Sequence, residues 1–212
     1  MTWESTGFTE LLRDAGREVI GIDLLGHGSA PKPHDPEAYA DLTTRVVESL
    51  PNEPVDAIGF SLGAMTLLRL ASREPQRFRK LVLAGIGRNV VEPEDVERGK
   101  KILAAVEGRG EMDDPSATVF AQYARSGDND QQALAAIMRR PRHEYTDAEL
   151  ANVTVPTLIV IGADDFAGPG EPLAEKLPNA SVTTLRRTDH FATPESFGFI
   201  DAALEFIEAV PT

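Results

Sequence analysis

A serine stands at position 61 with a glycine two residues to each side, in the stretch Gly59-Phe-Ser-Leu-Gly63. Val55 to Ile58 before it is short and mostly apolar, and Ala64 to Ala71 after it is apolar on nearly every side. The stretch reads as strand, sharp turn and buried helix, which is the nucleophile-elbow pattern. Chemistry accounts for its composition. To lift its hydroxyl clear of a sheet, the serine takes a strained backbone conformation. Strand and helix then pass so closely that a Cβ at Gly59 or Gly63 is expected to clash. The first turn of the helix also directs free N–H groups, that of Leu62 among them, toward any oxygen that turns negative beside Ser61. A plainer reading is an ordinary strand-to-helix turn whose serine only caps the helix.

A serine hydroxyl alone is a poor nucleophile, so the elbow needs a base and an orienting acid. Both types follow. The apolar run Val155 to Gly162 ends in Ala163-Asp164-Asp165, and Ala180 to Arg186 reads as a last strand before Asp189-His190-Phe191. In a parallel sheet these groups all lie just beyond C-terminal strand ends and gather along one edge. A neutral His190 would take the Ser61 proton during attack and return it to the leaving group. A buried carboxylate, Asp165 with Asp164 competing, would fix the imidazole tautomer and stabilise the imidazolium. Activity is then expected to fall in acid as His190 protonates.

Positioning such residues requires a particular order of elements. Ser5 or Thr6 caps a helix from Phe8 to Ala15 that Gly16 closes. Glu18 to Asp23 reads as a buried parallel strand running into Leu24-Leu-Gly-His-Gly-Ser29. A helix from Pro36 through Leu42, Val46 and Val47 stops before Pro51. Val55 to Gly59 is the next strand, and Lys80 to Gly85 follows the helix after Ser61. This alternation implies an α/β fold: an open, mostly parallel, doubly wound sheet covered on both faces. From residue 88 to 152 no strand signal occurs. Amphipathic runs take over at Glu94–Val106, Ser116–Arg125 and Asp130–Arg140, with a short turn near Thr146–Leu150. An insertion this long is expected to be a helical lid over the strand ends, where ligands bind in such sheets; ordinary surface helices without a gating role are the alternative. The rhythm resumes with the two later strands, a helix at Glu171–Leu177 between them, and a closing helix from Glu195 to Val210. The expected division is a core of residues 1–87 and 153–212 with a lid at 88–152.

Four segments together resemble the α/β-hydrolase-fold superfamily in its lid-bearing, esterase-like branch. Asp23-Leu-Leu-Gly-His-Gly-Ser29 is similar to the family's D-x-x-G-x-G-x-S loop, and Gly59-Phe-Ser-Leu-Gly63 to its elbow. Val155 to Asp165 resembles its acid strand, with the acid third after the glycine, and this spacing selects Asp165 over Asp164. Asp189-His190-Phe191 stands at its histidine loop, although Asp189 replaces a usual glycine and brings a second carboxylate beside the imidazole. The resemblance implies a cofactor-independent serine hydrolase that cleaves an ester or related acyl compound through an acyl-Ser61 intermediate. Its catalytic residues would be Ser61, Asp165 and His190, with the Leu62 N–H in the oxyanion hole. Perhydrolases, acyltransferases and carbon–carbon-bond hydrolases share this triad and stay open, as does a non-catalytic binding protein or inactive fragment of the same fold. The family's first strands and His-Gly motif have no counterpart here, and the chain starts inside the first helix, near Trp3. Met1 is therefore expected to be an internal start, with a strand and the second oxyanion donor encoded upstream.

Composition narrows the partners. A net charge of −13, dispersed rather than blocked, argues against nucleic acid or anionic membrane as partners, while the small-molecule acyl substrate is what the resemblance implies. No apolar run approaches the ~18 residues of a membrane span. Met-Thr-Trp-Glu-Ser has neither the basic start nor the apolar core of a signal peptide, so a cytoplasmic protein is expected. Without cysteine there is no disulfide, thiolate metal site or cysteine nucleophile. No histidines or carboxylates have metal-ligand spacing, and Gly85-Ile-Gly87 lacks a third small residue at Val90, so neither metal nor cofactor is expected. His27 reads as a loop-structuring residue, and His34 and His143 as surface residues.

Overall fold

Four of the expected strand segments form one parallel sheet in the computed structural model, and Thr157–Gly162, the most apolar of them, is buried along its whole length. The structure describes residues 2–93, 95–109 and 114–211. The strands are β1 (Val55–Phe60), β2 (Phe78–Ala84), β3 (Thr157–Gly162) and β4 (Ala180–Leu185), hydrogen-bonded in the order β1-β2-β3-β4. The helices are α1 (Phe8–Asp14), α2 (Thr43–Ser49), α3 (Leu62–Arg73), α4 (Arg88–Val91), α5 (Val96–Val106), α6 (Pro115–Ala124), α7 (Gln131–Arg139), α8 (Asp147–Ala151), α9 (Glu171–Ala174) and α10 (Phe197–Phe206). By contact density the chain forms two compact units. One comprises Met1–Gly21, Ser49–Glu92 and Glu144–Thr212, and the other Ile22–Glu48 and Pro93–His143.

The first unit holds the sheet. Successive side chains of a strand face opposite sides, and both sides are covered. Val82, Ala84, Leu158, Val160 and Leu185 pack with Phe8 and Leu12 of α1 and with Phe199, Ala203 and Leu204 of α10. Trp3 stacks on Phe199 at 5.4 Å between ring centroids. The intervening residues Leu81, Leu83, Ile159 and Ile161 are fully buried as well, and α3 packs on β1 and β2. Register brings the C-terminal strand ends level, with Phe60 beside Ala84, Ala84 beside Val160 and Gly162 beside Leu185.

The second unit is helical. Asp95, Asp114 and Asp130 each accept backbone N–H bonds at the starts of α5, α6 and α7, which is why those helices begin there. The unit also takes in residues 22–48, which the expected division assigned to the core; the expected insertion at 88–152 contributes residues 93–143 to it, and α4 and α8 group with the sheet.

Two sequence expectations are corrected. Glu18–Asp23 forms no strand, and Ile20 is 47% exposed rather than buried. An apolar run becomes a strand only beside a ladder partner, and the sheet has its edge at β1. The Asp23 carbonyl accepts instead from Arg45 Nε at 2.6 Å. The single helix expected from Pro36 is broken into a 3-10 turn, Pro36–Tyr39, and α2, because Asp41 accepts from the N–H and hydroxyl of Thr43 and caps a new start. The helix expected from Glu94 begins at Val96 in the structure, and Glu94 itself lies outside the described residues. Among the described residues, no helix is long and apolar enough to cross a membrane.

Candidate active site

β1 runs without a break into Ser61, whose N–H still donates to the Ala84 carbonyl of β2 at 2.8 Å. Its own carbonyl already accepts from Met65 in α3 at 2.9 Å. A residue serving ladder and helix at once is forced into an unusual conformation, and Ser61 has φ 50°, ψ −111°, a strain of about 1–3 kcal/mol. Gly59 is required by this geometry, since a Cβ there would lie 2.7 Å from the Ala64 nitrogen. Gly63 is not: a Cβ there would meet nothing within 4 Å, which corrects the expected clash. The helix crosses the strand over Gly59, whereas Gly63 points away from that crossing. Leu62, the first residue of α3, has an N–H at a position with no intrahelical acceptor.

The acid sits in the tight loop after β3. Asp165 N–H donates to the Gly162 carbonyl at 3.1 Å, and its Oδ1 accepts from the Ala167 N–H at 2.8 Å. Asp164 is exposed and donates its N–H to the Thr188 carbonyl at 3.0 Å.

His190 follows the strand farthest from Ser61. β1 and β4 are three strand spacings apart, about 14 Å at ~4.8 Å each, so the loop after β4 must fold back over the strand ends. Two glycines make that path. At Gly162 a Cβ would overlap the Thr188 carbonyl. At Gly85, with φ +67°, it would lie 3.1 Å from His190 Cε1 and 2.6 Å from the Phe60 ring. The imidazole so placed has Nε2 2.9 Å from Ser61 Oγ and Nδ1 2.9 and 3.0 Å from the two Asp165 oxygens. A carboxylate only accepts, so Nδ1 carries the proton and Nε2 is free to accept the Ser61 hydroxyl. The His190 side chain is 4% exposed and that of Asp165 is 0% exposed. The Asp189 carboxylate accepts from the Ala192 N–H at 2.9 Å and caps the local turn.

Three aromatic rings that sequence reasoning passed over surround the imidazole. Phe60, Phe166 and Phe191 have centroids 4.8, 4.4 and 5.4 Å from that of His190. Their signal was adjacency, each being the chain neighbour of Ser61, Asp165 or His190.

The loop that begins at Asp23 closes on itself. Asp23 Oδ2 accepts from Ser29 N–H and Oγ–H at 2.8 and 2.9 Å. The Ser29 amide thereby holds the Asp23 carboxyl below the usual carboxylate range. Gly28, at φ +51°, leaves the room this needs, because a Cβ there would overlap the carboxylate. His27 has its Nδ1 3.3 Å from the Leu25 carbonyl, and burial pushes its pKa down. His34 pairs with Asp130 at 3.0 Å. Among the described residues no group of histidines and carboxylates could hold a metal ion.

Comparison with known proteins agrees with this architecture. The profile of the alpha/beta hydrolase family matches residues 1–208. The chain is 28% identical over 205 residues to the pimeloyl-[acyl-carrier protein] methyl ester esterase of Neisseria meningitidis serogroup A, covering 81% of this chain and 62% of that protein's length. It is 29% identical over 205 residues to the 2-hydroxymuconate semialdehyde hydrolase of Pseudomonas sp. strain CF600, covering 84% and 72%. The crystal structure of a hydrolase from Pseudomonas aeruginosa PA01 superposes with a TM-score of 0.67 at 26% identity, covering 87% of this chain and 77% of that one.

Proposed function

We propose that this chain, which belongs to the alpha/beta hydrolase family, is a serine hydrolase that cleaves an ester or related acyl compound. The observation that carries the reading is the unbroken series from Ser61 Oγ through the His190 ring to a fully buried Asp165, every link 2.9 or 3.0 Å. Ser61 Oγ attacks the substrate carbonyl carbon while its proton passes to His190 Nε2. Asp165 holds the opposite ring nitrogen and stabilises the imidazolium. The carbonyl oxygen, now negative, is met by the Leu62 N–H and the positive end of α3. When the intermediate collapses, the imidazolium proton goes to the departing alcohol, leaving acyl-Ser61. Water then attacks the acyl carbon, giving a proton to His190, and the acid departs as Ser61 regains its own. An esterase among the relatives supports esters as the first substrate class to try. Within the same proposal the helical segment 88–152 is a lid that selects the acyl group, and the enzyme works on small molecules in the cytoplasm without a cofactor.

A fluorophosphonate probe tests the nucleophile directly. The folded protein should be labelled at Ser61 and should hydrolyse short p-nitrophenyl esters, and Ser61→Ala should lose both. A folded protein that takes no label would be a binding protein rather than a hydrolase. Exchanging residues 93–143 for those of a relative should change acyl-chain preference and leave the labelling of Ser61 in place.

A further inference from the structure

Each member of the hydrogen-bonded series has a phenylalanine next to it in the chain: Phe60-Ser61, Asp165-Phe166 and His190-Phe191. The three rings come from the ends of three different strands, yet all lie within 5.4 Å of the imidazole, centroid to centroid. Phe166 is nearest, at 4.4 Å and tilted 37° to the imidazole plane; Phe60 is at 4.8 Å and tilted 39°. Phe191 meets the imidazole edge-on at 81°. Gly85 completes the slot, since any side chain there would displace both Phe60 and the Cε1 corner of the imidazole.

We propose that Phe166, backed by Phe60, is a positioning residue that holds the His190 ring in the one orientation where both nitrogens are engaged. The proposal rests on the hydrolase reading for its kinetic consequence, but its geometric content is independent of that reading. The physical reason is that hydrogen bonds to Asp165 and Ser61 act along one axis through the ring. They do little to stop the imidazole rocking about that axis or swinging out on its Cβ. Close aromatic contacts resist both movements, because each would open a gap beside a planar face. They also exclude water, leaving His190 4% exposed, and a dry surrounding strengthens the Nδ1–H bond to Asp165. Finally, an aromatic face tolerates the positive charge the ring acquires during turnover, which an aliphatic side chain does not match.

The test compares Phe166→Leu, which keeps apolar bulk but removes the plane, with Phe166→Tyr, which keeps the plane. Displacement of a catalytic group by about 1 Å costs on the order of 10²-fold, so kcat of Phe166→Leu on a p-nitrophenyl ester should fall about 10- to 100-fold with KM little changed. Phe166→Tyr should remain close to wild type. Nitrogen-15 NMR of histidine-labelled protein supplies a readout free of turnover. Wild type should show His190 as a single tautomer protonated at Nδ1, and Phe166→Leu should show mixed tautomers or a broadened signal. An unchanged rate with an unchanged spectrum overturns the proposal, and so does a lost rate with an unchanged spectrum. If wild type takes no fluorophosphonate label, the hydrolase reading fails, while the histidine spectra still decide whether the ring holds the imidazole. Should Phe166→Leu not fold, Phe166→Met and Phe60→Leu are read in the same way.

Discussion

Two adjacent aspartates at the end of β3 show how one residue's environment decides its use. Asp165 is buried, with Oδ1 accepting from the Ala167 N–H and both oxygens within 3.0 Å of His190 Nδ1. Asp164 is exposed, and its interaction with the neighbouring loop is through its backbone. Replacing Asp165 by Asn keeps the shape but offers an amide that can donate to Nδ1, which stabilises the wrong imidazole tautomer. Asp165→Asn should therefore lose about 10⁴-fold in kcat, whereas Asp164→Asn should stay within a few-fold of wild type on the order expected for surface substitutions. Steady-state kinetics on one ester decides between them, and the reverse ranking would exchange their roles. The Asp189 carboxylate belongs to the turn it caps, so Asp189→Gly should cost stability before it costs rate.

At the scale of elements, the glycines separate into those the crossing of segments requires and those it does not. A Cβ at Gly162 would run into the Thr188 carbonyl, within the loop that carries His190 back across the sheet. Gly162→Ala should thus abolish ester hydrolysis while circular dichroism still reports a folded sheet. A Cβ at Gly59 would press on the backbone of α3, but one at Gly63 would enter open space in the helix's first turn. Gly59→Ala should destabilise strongly, and Gly63→Ala should leave the midpoint of thermal unfolding unchanged or raise it, since Ala gains up to about 1 kcal/mol over Gly within a helix. A Gly63→Ala protein that unfolds early would refute the open-space reading. These glycines also mark what the sequence can say. The four strands, the elbow and the order Ser–Asp–His were legible because each depends on local pattern and chain order. The function of Gly162 and Gly85 was not, because it depends on which distant loop passes over them. The same limit explains Glu18–Asp23: its composition suits a buried strand, but a ladder partner is a property of the sheet. Asp41 was the contrary case: its bonds to Thr43 are local, yet the sequence pattern reads as one continuous helix from Pro36 across it.

Over the whole molecule, acid acts on stability through two opposing effects, and salt separates them. The net charge of −13 means that mild acidification first reduces self-repulsion, an effect that favours the folded state and shrinks as salt screens it. His27 works in the opposite direction. Burial holds its pKa below the ordinary value of 6.5, with the Leu25 carbonyl and Asp23 opposing that shift and Lys32 and Arg140 adding to it. Between the folded and unfolded values the unfolded chain binds the proton more readily, so stability present above pH 6.5 is lost as pH falls through that window. Asp23, also depressed by its Ser29 bonds, adds a further loss only below its ordinary value of 3.8. Thermal unfolding followed from pH 7.5 to 5.0 at high salt, where the repulsion term is small, should show a falling midpoint in wild type. His27→Gln, which cannot take up that proton, should flatten the slope. A midpoint slope that is the same in both proteins would mean that burial of His27 does not govern acid stability.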